Sequence, residues 1–125
     1  MTQETVTRAS RTRQVMRFYA LVDAGDAPAM AALFAPDAVY RRPGYGPRIG
    51  PEGLLHFYTR ERTIREGGHV IERVVENGDD VAVFGAFHGV LHDGNPVDLE
   101  FADYFGFRHD GLFARRDTYF FAPLA

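Results

Sequence analysis

Three Asx-Gly pairs in the second half of the chain constrain its fold more than any other feature. The pairs are Asn77-Gly78, Asp93-Gly94 and Asp110-Gly111. They separate four segments of alternating apolar and polar residues, which span residues 69–76, 81–91, 97–107 and 112–121. An Asx-Gly pair favours a tight turn between antiparallel strands because both residues tolerate a positive φ. The second half is therefore predicted to be a four-stranded antiparallel meander.

The first half of the chain has helical patterning. Apolar residues recur three or four positions apart in three segments, around residues 15–22, 26–34 and 51–58. Asp26 is placed to cap the second helix, and Pro36 is placed to end it. A short strand is predicted over residues 38–42. Helices followed by a meander indicate an α+β fold, and 125 residues fit one domain, residues 1–125.

Composition and charge exclude several classes of function. The formal net charge is −3 and the basic residues are dispersed, so no nucleic-acid-binding surface is expected. No apolar run approaches the roughly 20 residues that span a bilayer, and the first residues lack a secretion signal. There is no cysteine, and the spacings of the five histidines fit no standard metal site. We expect a cytoplasmic protein without a metal or other cofactor.

Asp103 is the one acid on an otherwise apolar strand face. The odd positions of residues 97–107 read Val, Leu, Phe, Asp, Phe, Phe, and side chains at alternate positions share a face of a strand. A buried carboxylate is costly unless it is paired. Isolation would raise its pKa and make it a proton donor, whereas pairing with Thr118, Arg116 or Arg42 would make it a base or a structural anchor. Both alternatives remain open at this point.

The turns also predict a strand register. If each Asx-Gly pair forms a two-residue loop, Asp103 lies opposite Thr118 on one side and Phe84 on the other. This register turns the following side chains, among others, towards one concave face: His69, Phe84, His88, Phe101, Phe105, Arg116 and Phe120. The other face keeps apolar residues such as Val70 and Tyr119, and nothing else in the chain is left to cover it. We therefore expect a symmetric homodimer that packs through this outer sheet face.

The order of elements and several segments resemble a known family. Residues 18–26 (FYALVDAGD), residues 31–40 (AALFAPDAVY) and residues 50–58 (GPEGLLHFY) are similar to SnoaL-like polyketide cyclases and ketosteroid isomerases of the NTF2-like superfamily. The resemblance implies an NTF2-like cone, in which three N-terminal helices pack on the concave face of a curved, mostly antiparallel sheet. It covers nearly the whole chain, and it indicates the fold more specifically than the reaction.

The resemblance also places individual residues. Asp103 falls where ketosteroid isomerases have the protonated acid of their oxyanion hole, but Phe18 replaces their tyrosine and Arg42 replaces their carboxylate base. Limonene-epoxide hydrolases carry an acid at the position of His88, while Tyr40 matches one of their water-positioning tyrosines. The resemblance therefore implies a familiar scaffold with a catalytic set of its own.

The sequence yields four candidate catalytic residues. Asp103 is the acid or base, Tyr40 and Arg42 polarise a substrate oxygen, and His69 moves a second proton. The alternative for His69 is a strand-end histidine without a catalytic role, and Arg42 can instead pair with Asp103. The residues expected to bind substrate are Phe18, Tyr19, Phe84, His88, Phe101, Phe105, Arg116, Thr118 and Phe120.

The leading functional hypothesis is a cofactor-independent acid/base enzyme. It would act on a hydrophobic, oxygenated small molecule in natural-product biosynthesis, by ring closure, double-bond isomerisation or epoxide opening. The high phenylalanine content, 11 residues, fits a cavity for such a ligand. One alternative is a carrier that binds a ligand without turnover. The other is a dimerisation module with a filled interior.

Overall fold

The computed structural model describes residues 2–121, and the side chains of residues 11–121. Its elements in chain order are α1 (Thr2–Asp23), α2 (Ala27–Ala31), β1 (Phe34–Arg41), β2 (Arg48–Ile49), α3 (Gly50–His56), a π-helical turn (Phe57–Glu61), β3 (Ile64–Asn77), β4 (Asp80–Leu91), β5 (Pro96–Phe107) and β6 (Phe113–Phe121). The α+β class predicted from the sequence is confirmed.

One curved six-stranded sheet forms the centre of the fold. Its strand order is β2-β1-β6-β5-β4-β3, and β3 to β6 pair antiparallel as the predicted meander. The short strand β1 joins the far side of β6 in parallel and pairs antiparallel with β2. Within residues 2–121, no helix is both long and apolar enough to cross a membrane.

The predicted cap of the second helix is confirmed. The Asp26 Oδ1 atom accepts a hydrogen bond from the backbone N–H of Ala29 at 3.1 Å. The prediction that Pro36 ends this helix is wrong, because α2 stops at Ala31 and Pro36 lies within β1. The pairing of β1 with β6 is irregular before Val39, so the strand tolerates a residue that has no N–H to donate.

Helix α1 covers one face of the sheet, which we call the inner face. One stripe of its apolar residues, Val15, Phe18, Tyr19 and Val22, is buried, whereas Met16 on the other side is exposed. The Phe18 ring meets the Phe105 ring of β5 edge-on, with 5.4 Å between centroids. The aromatic residues that the sequence offers in unusual number therefore build a packed core between α1 and the sheet.

The register of β5 against β6 is as predicted, but that of β4 against β5 is not. Asp103 pairs with Thr118 on one side and with Val83, not Phe84, on the other. The cause is the Asp93-Gly94 turn. There the N–H of Leu91 donates to the carbonyl of Asn95 at 2.8 Å, so the loop holds three residues. A three-residue loop shifts the register by one and turns every side chain of β4 to the opposite face.

Two irregularities alter the rest of the predicted map. The Asp110-Gly111 turn is also a three-residue loop, but a register shift between Gly106 and Phe107 restores the predicted pairing of Asp103. In β3 a second shift follows Ile71, so Val75 is exposed instead of facing inward.

The opposite face of the sheet, which we call the outer face, carries exposed large apolar side chains. They are Val70, Val75, Phe84, Tyr119 and Phe121. Phe121 is the most exposed of them, at 78%. The outer face therefore combines exposed apolar side chains with charged ones such as Arg73 and Glu100. Its members on β4 differ from those that the sequence predicted.

Candidate functional site

Asp103 is buried at 1% exposure, and both of its carboxylate oxygens accept hydrogen bonds. Its Oδ2 atom accepts hydrogen bonds from the Tyr19 hydroxyl at 2.5 Å and from Arg116 Nη2 at 2.9 Å. Its Oδ1 atom accepts a hydrogen bond from the Thr118 hydroxyl. We call these four residues the Asp103 cluster. Of the two alternatives that the sequence left open for this carboxylate, pairing is the one found, and its side chain has no exposed surface for a substrate to contact.

Arg116 is the positively charged member of the Asp103 cluster, and its guanidinium lies among aromatic rings. Its guanidinium lies over the rings of Phe18 and Tyr40, 4.6 and 4.7 Å from their centroids, and Nη1 donates to the Tyr58 hydroxyl at 2.7 Å. Burial alone would lower the pKa of Arg116. Asp103, Tyr40, Tyr58 and Tyr19 together outweigh this effect and raise the pKa well above the usual value. Arg116 is therefore a permanent cation.

A pocket opens on the inner face beside the Asp103 cluster. We call it the inner pocket; its empty volume is about 360 Å³, open mouth included, and its interior is narrow. Its lining consists of Arg42, Tyr58, Arg62, Ile64, His69, Phe87, Leu99, Phe101, Arg116, Thr118 and Phe120. Five of these residues are apolar and six carry polar groups, so the inner pocket combines an apolar wall with convergent polar groups, as small-molecule sites do.

His69 forms a dyad with Asp23, the last residue of α1. The Nδ1 atom of His69 lies 2.6 Å from Asp23 Oδ1, and the backbone N–H of His69 donates to Asp23 Oδ2 at 3.0 Å. Burial lowers the pKa of His69, against the opposing effect of its hydrogen bond to Asp23. The imidazole is therefore neutral at pH 7, and we assign its proton to Nδ1, which faces the carboxylate. This leaves the lone pair of Nε2 free to accept a proton.

Tyr40 lies behind the inner pocket and Arg42 lines it. The Tyr40 hydroxyl accepts a hydrogen bond from Arg42 Nη1 at 3.1 Å, and burial raises the pKa of Tyr40 to about 12. Tyr58 is instead the phenol at the pocket wall. Because its oxygen already accepts a hydrogen bond from Arg116, its own O–H is free to donate to a ligand.

The structure divides the residues that the sequence nominated into three groups. Six line the inner pocket: Arg42, His69, Phe101, Arg116, Thr118 and Phe120. Five lie behind it and are buried: Phe18, Tyr19, Tyr40, Asp103 and Phe105. The inward orientation predicted for Phe84 and His88 is wrong, because the three-residue loop before β5 turns both outward, where His88 pairs with Asp98.

Sequence reasoning missed Asp23, Tyr58 and Arg62. Asp23 did leave a signal, because an acid in the last turn of a helix is unfavourable beside the negative end of the helix dipole. Its hydrogen bonds to His69 explain its presence there. Tyr58 and Arg62 depend on the π-helical turn, in which the N–H of Arg62 donates to the carbonyl of Phe57 at 3.0 Å. Helical periodicity gives no sign of such a turn, which is often found at functional sites.

No three histidine or carboxylate side chains come together as metal ligands within the part of the chain that the structure describes. The polar groups of the inner pocket are instead guanidiniums, one phenol, one hydroxyl and one imidazole. They can donate hydrogen bonds to an oxygen that gains negative charge, and the imidazole can accept a proton.

Comparison with known proteins defines the class to which this fold and pocket belong. Residues 15–116 match the family model of the SnoaL-like domain. The chain belongs to the SnoaL-like domain family of the NTF2-like superfamily. No curated protein matches it in sequence.

Three solved structures illustrate the similarity. A candidate polyketide cyclase from Xanthomonas campestris pv. campestris is 26% identical, with a TM-score of 0.81 over 90% of both chains. The epoxide hydrolase/cyclase-like enzyme SalBIII, of pyran ring formation in the polyether salinomycin, is 19% identical, with a TM-score of 0.80 over 97% of this chain and 95% of its own. TerC, co-crystallised with polyporic acid, is 21% identical, with a TM-score of 0.78 over 90% of this chain and 92% of its own.

Proposed function

We propose that the protein is a cofactor-independent acid/base enzyme of the cyclase or isomerase type. Its substrate is a hydrophobic, oxygenated small molecule of natural-product biosynthesis. The observation that carries the proposal is the neutral His69 at the wall of the inner pocket, held by Asp23 with Nε2 free. The similarity to a candidate polyketide cyclase and to an epoxide hydrolase/cyclase-like enzyme supports the same class of reaction.

The reaction begins with proton transfer to His69. Nε2 removes a proton from a carbon next to a substrate carbonyl, and the bonding electrons move onto the carbonyl oxygen to give an enolate. In isomerisation, the imidazolium returns the proton to a different carbon. In ring closure, the enolate carbon attacks a second carbonyl of the same molecule, and the imidazolium protonates the new alkoxide. Asp23 stabilises the imidazolium in both cases.

Tyr58 and Arg116 stabilise the charge on the substrate oxygen. The free O–H of Tyr58 donates to it, and the adjacent guanidinium of Arg116 makes that hydroxyl a stronger donor. Asp103 then has a different role from the one proposed on sequence grounds, since it positions Arg116 and does not exchange protons. The walls formed by Phe87, Phe101 and Phe120 exclude water, which strengthens these interactions.

Proton abstraction can be tested with 2-tetralone, an aromatic ketone with exchangeable protons beside its carbonyl. We expect the protein to accelerate deuterium exchange from solvent, followed by NMR. His69→Gln should slow the exchange about 100-fold or more, because an amide cannot accept the proton. Burial lowers the pKa of His69 below 6.5. The wild-type rate should therefore rise with pH on the acid side of 6.5 and be level above it.

His88→Gln is the matched control. His88 has the same 2.6 Å contact between Nδ1 and an aspartate, Asp98, but its side chain is 61% exposed on the outer face. Its substitution should leave the exchange rate unchanged. Asp23→Asn should reduce the rate, because its amide can donate to Nδ1 and so shift the ring proton onto Nε2. The proposal fails if the wild type does not accelerate exchange, or if His69→Gln is as fast as the wild type.

One observation favours binding without turnover as a second candidate function. Both oxygens of Asp103 are engaged within the protein, so the only carboxylate beside the inner pocket on β5 takes no part in proton transfer. In a carrier, 2-tetralone would bind equally to the wild type and to His69→Gln, and neither would accelerate exchange. Measurements of binding and exchange on the wild type and His69→Gln therefore distinguish an enzyme from a carrier.

We also propose that the protein is a homodimer packed through the outer face. Its five exposed apolar side chains, two of them on β3, one on β4 and two on β6, support this arrangement. Two copies of the same face are self-complementary when related by a two-fold axis.

A further inference from the structure

Positive charge is concentrated at the inner pocket. Arg42, Arg62 and Arg116 all line it, and they come from three different parts of the chain. Only Arg116 has a carboxylate partner, Asp103. Among the described residues, the Arg42 side chain makes one hydrogen bond, to the Tyr40 hydroxyl, and its buried Nε has no partner. Arg62 lies over the Tyr58 ring at 4.8 Å and has no carboxylate partner within residues 11–121.

Arginines elsewhere in the described part of the chain show a different arrangement. Those at the edges of the sheet and its loops bind carboxylates at 2.7 to 2.9 Å, in the pairs Arg41–Asp117, Arg48–Glu61, Arg108–Asp110 and Arg115–Asp117. Arginines without a carboxylate partner in the described part of the chain are otherwise exposed to solvent, namely Arg13, Arg17, Arg60, Arg65 and Arg73. Arg42 and Arg62 differ from them because they are partly buried at the inner pocket. A partly buried guanidinium is costly to leave unpaired. The missing partner is expected from outside the chain.

The surroundings of Arg42 and Arg62 make an anion the favoured partner. Burial lowers the pKa of Arg62, and the charges of Arg42 and Arg116 lower it further. An anion between the guanidiniums would remove this mutual repulsion. The planar fork of a guanidinium matches the two oxygens of a carboxylate, and two forks can hold one in a fixed orientation. The aromatic rings of Tyr58 and Phe120 also line the inner pocket and supply apolar contact for a carboxylate that belongs to an organic ligand.

We propose that the substrate carries a carboxylate, which Arg42 and Arg62 hold at the mouth of the inner pocket. This inference rests on the proposed function, since it assigns the substrate class of that site. His69, on β3, lines the same pocket, so a carboxylate held by Arg42 and Arg62 would leave the carbon skeleton of the ligand to reach the dyad. The preferred substrate is therefore an aromatic or polyenic keto acid. A neutral ketone such as 2-tetralone still reaches His69, but it binds more weakly because it lacks the anchoring charge.

Salicylate and salicylamide provide a matched pair of probes. They have the same ring, hydroxyl group and number of heavy atoms, but only salicylate carries the charge. We expect salicylate to bind at least about tenfold more tightly by calorimetry at low salt, the size of one charge-assisted interaction. Raising the salt concentration should weaken the binding of salicylate and leave the binding of salicylamide unchanged. The NMR signal of the His69 ring should shift with both probes and locate them in the inner pocket.

Arg42→Gln and Arg62→Gln should each remove most of the preference for salicylate. Arg60→Gln is the matched control, because it removes the same charge from an exposed residue of the same segment that does not line the inner pocket. His69→Gln should keep the preference, since the carboxylate binds to the arginines.

The inference is wrong if salicylate and salicylamide bind equally, or if neither binds. It is also wrong if Arg42→Gln and Arg62→Gln prefer salicylate over salicylamide as strongly as Arg60→Gln does. Because this experiment measures binding and the tetralone experiment measures proton exchange, the two proposals can fail independently. Equal binding of both probes together with His69-dependent exchange would leave the enzyme proposal standing and reject only the acidic substrate.

Discussion

At the scale of single residues, the need to compensate one buried carboxylate determines how the interior is arranged. Asp103 receives hydrogen bonds from α1 and β6, and so ties the helix to the sheet. Strand alternation in the sequence was sufficient to predict that this acid is buried. It could not decide between isolation and pairing, because the partners Tyr19 and Arg116 come from segments whose relative placement depends on packing.

Asp103→Asn tests this role. The amide would leave the charge of Arg116 buried without a counterion, which typically costs about 3–5 kcal/mol of unfolding free energy. Urea unfolding followed by circular dichroism measures the loss. Asp98→Asn removes an acid from an exposed pair with His88 and should change stability by less than about 1 kcal/mol. Equal stability of the wild type and Asp103→Asn would contradict the assignment of Asp103 as an anchor.

At the scale of elements, the Asx-Gly pairs predicted the existence of all four long strands, but not the length of every loop. Two of the three turns contain three residues, with Gly94 and Gly111 at a φ of 90°. A loop with one residue more than expected changes which face a side chain occupies. The predicted orientation of Phe84 and His88 was therefore wrong, although the predicted strand order was right. Asp103 still pairs with Thr118, as predicted, because the register shift between Gly106 and Phe107 offsets the additional residue of the next loop.

Glycines within β3 and β4 provide a test of this packing. A Cβ at Gly85 would meet the backbone carbonyl of Val70, whereas a Cβ at Gly68 would meet nothing within 4 Å. Gly85→Ala should therefore destabilise the protein by about 1–3 kcal/mol. Gly68→Ala should be neutral or stabilise slightly, because alanine restricts the unfolded chain. Thermal unfolding of the two variants provides the comparison, and equal melting temperatures would rule out the close approach of β4 to β3.

At the scale of the whole molecule, the sequence indicated the family and the α+β class, and both are confirmed. The chemistry of the inner pocket was predicted less well. Arg42 and His69 were identified, but Asp23 and Arg62 were not, because a helix terminus and a π-helical turn place them there. A local irregularity of the backbone thus contributes to the site and has no periodic signature in the sequence.

The outer face leads to a prediction about assembly. Phe84→Glu introduces a charge on β4, among the exposed apolar side chains of the outer face. It should convert the dimer to a monomer, because a desolvated carboxylate is unfavourable in an interface. Analytical ultracentrifugation at micromolar concentration measures the mass. Arg60→Glu, an exposed substitution away from that face, should remain dimeric. A monomeric wild type would reject the homodimer.

The parallel pairing of β1 with β6 has a consequence for biosynthesis. Val39 pairs with Arg115, so β1, the strand that precedes Arg42, can join the sheet only after β6 has been synthesised. Contacts of such long sequence separation slow folding, since a large loop must close first. During translation, the growing chain therefore carries residues of the inner pocket before the pocket itself has formed. β6, the last strand of this fold in chain order, is the one that completes the inner pocket.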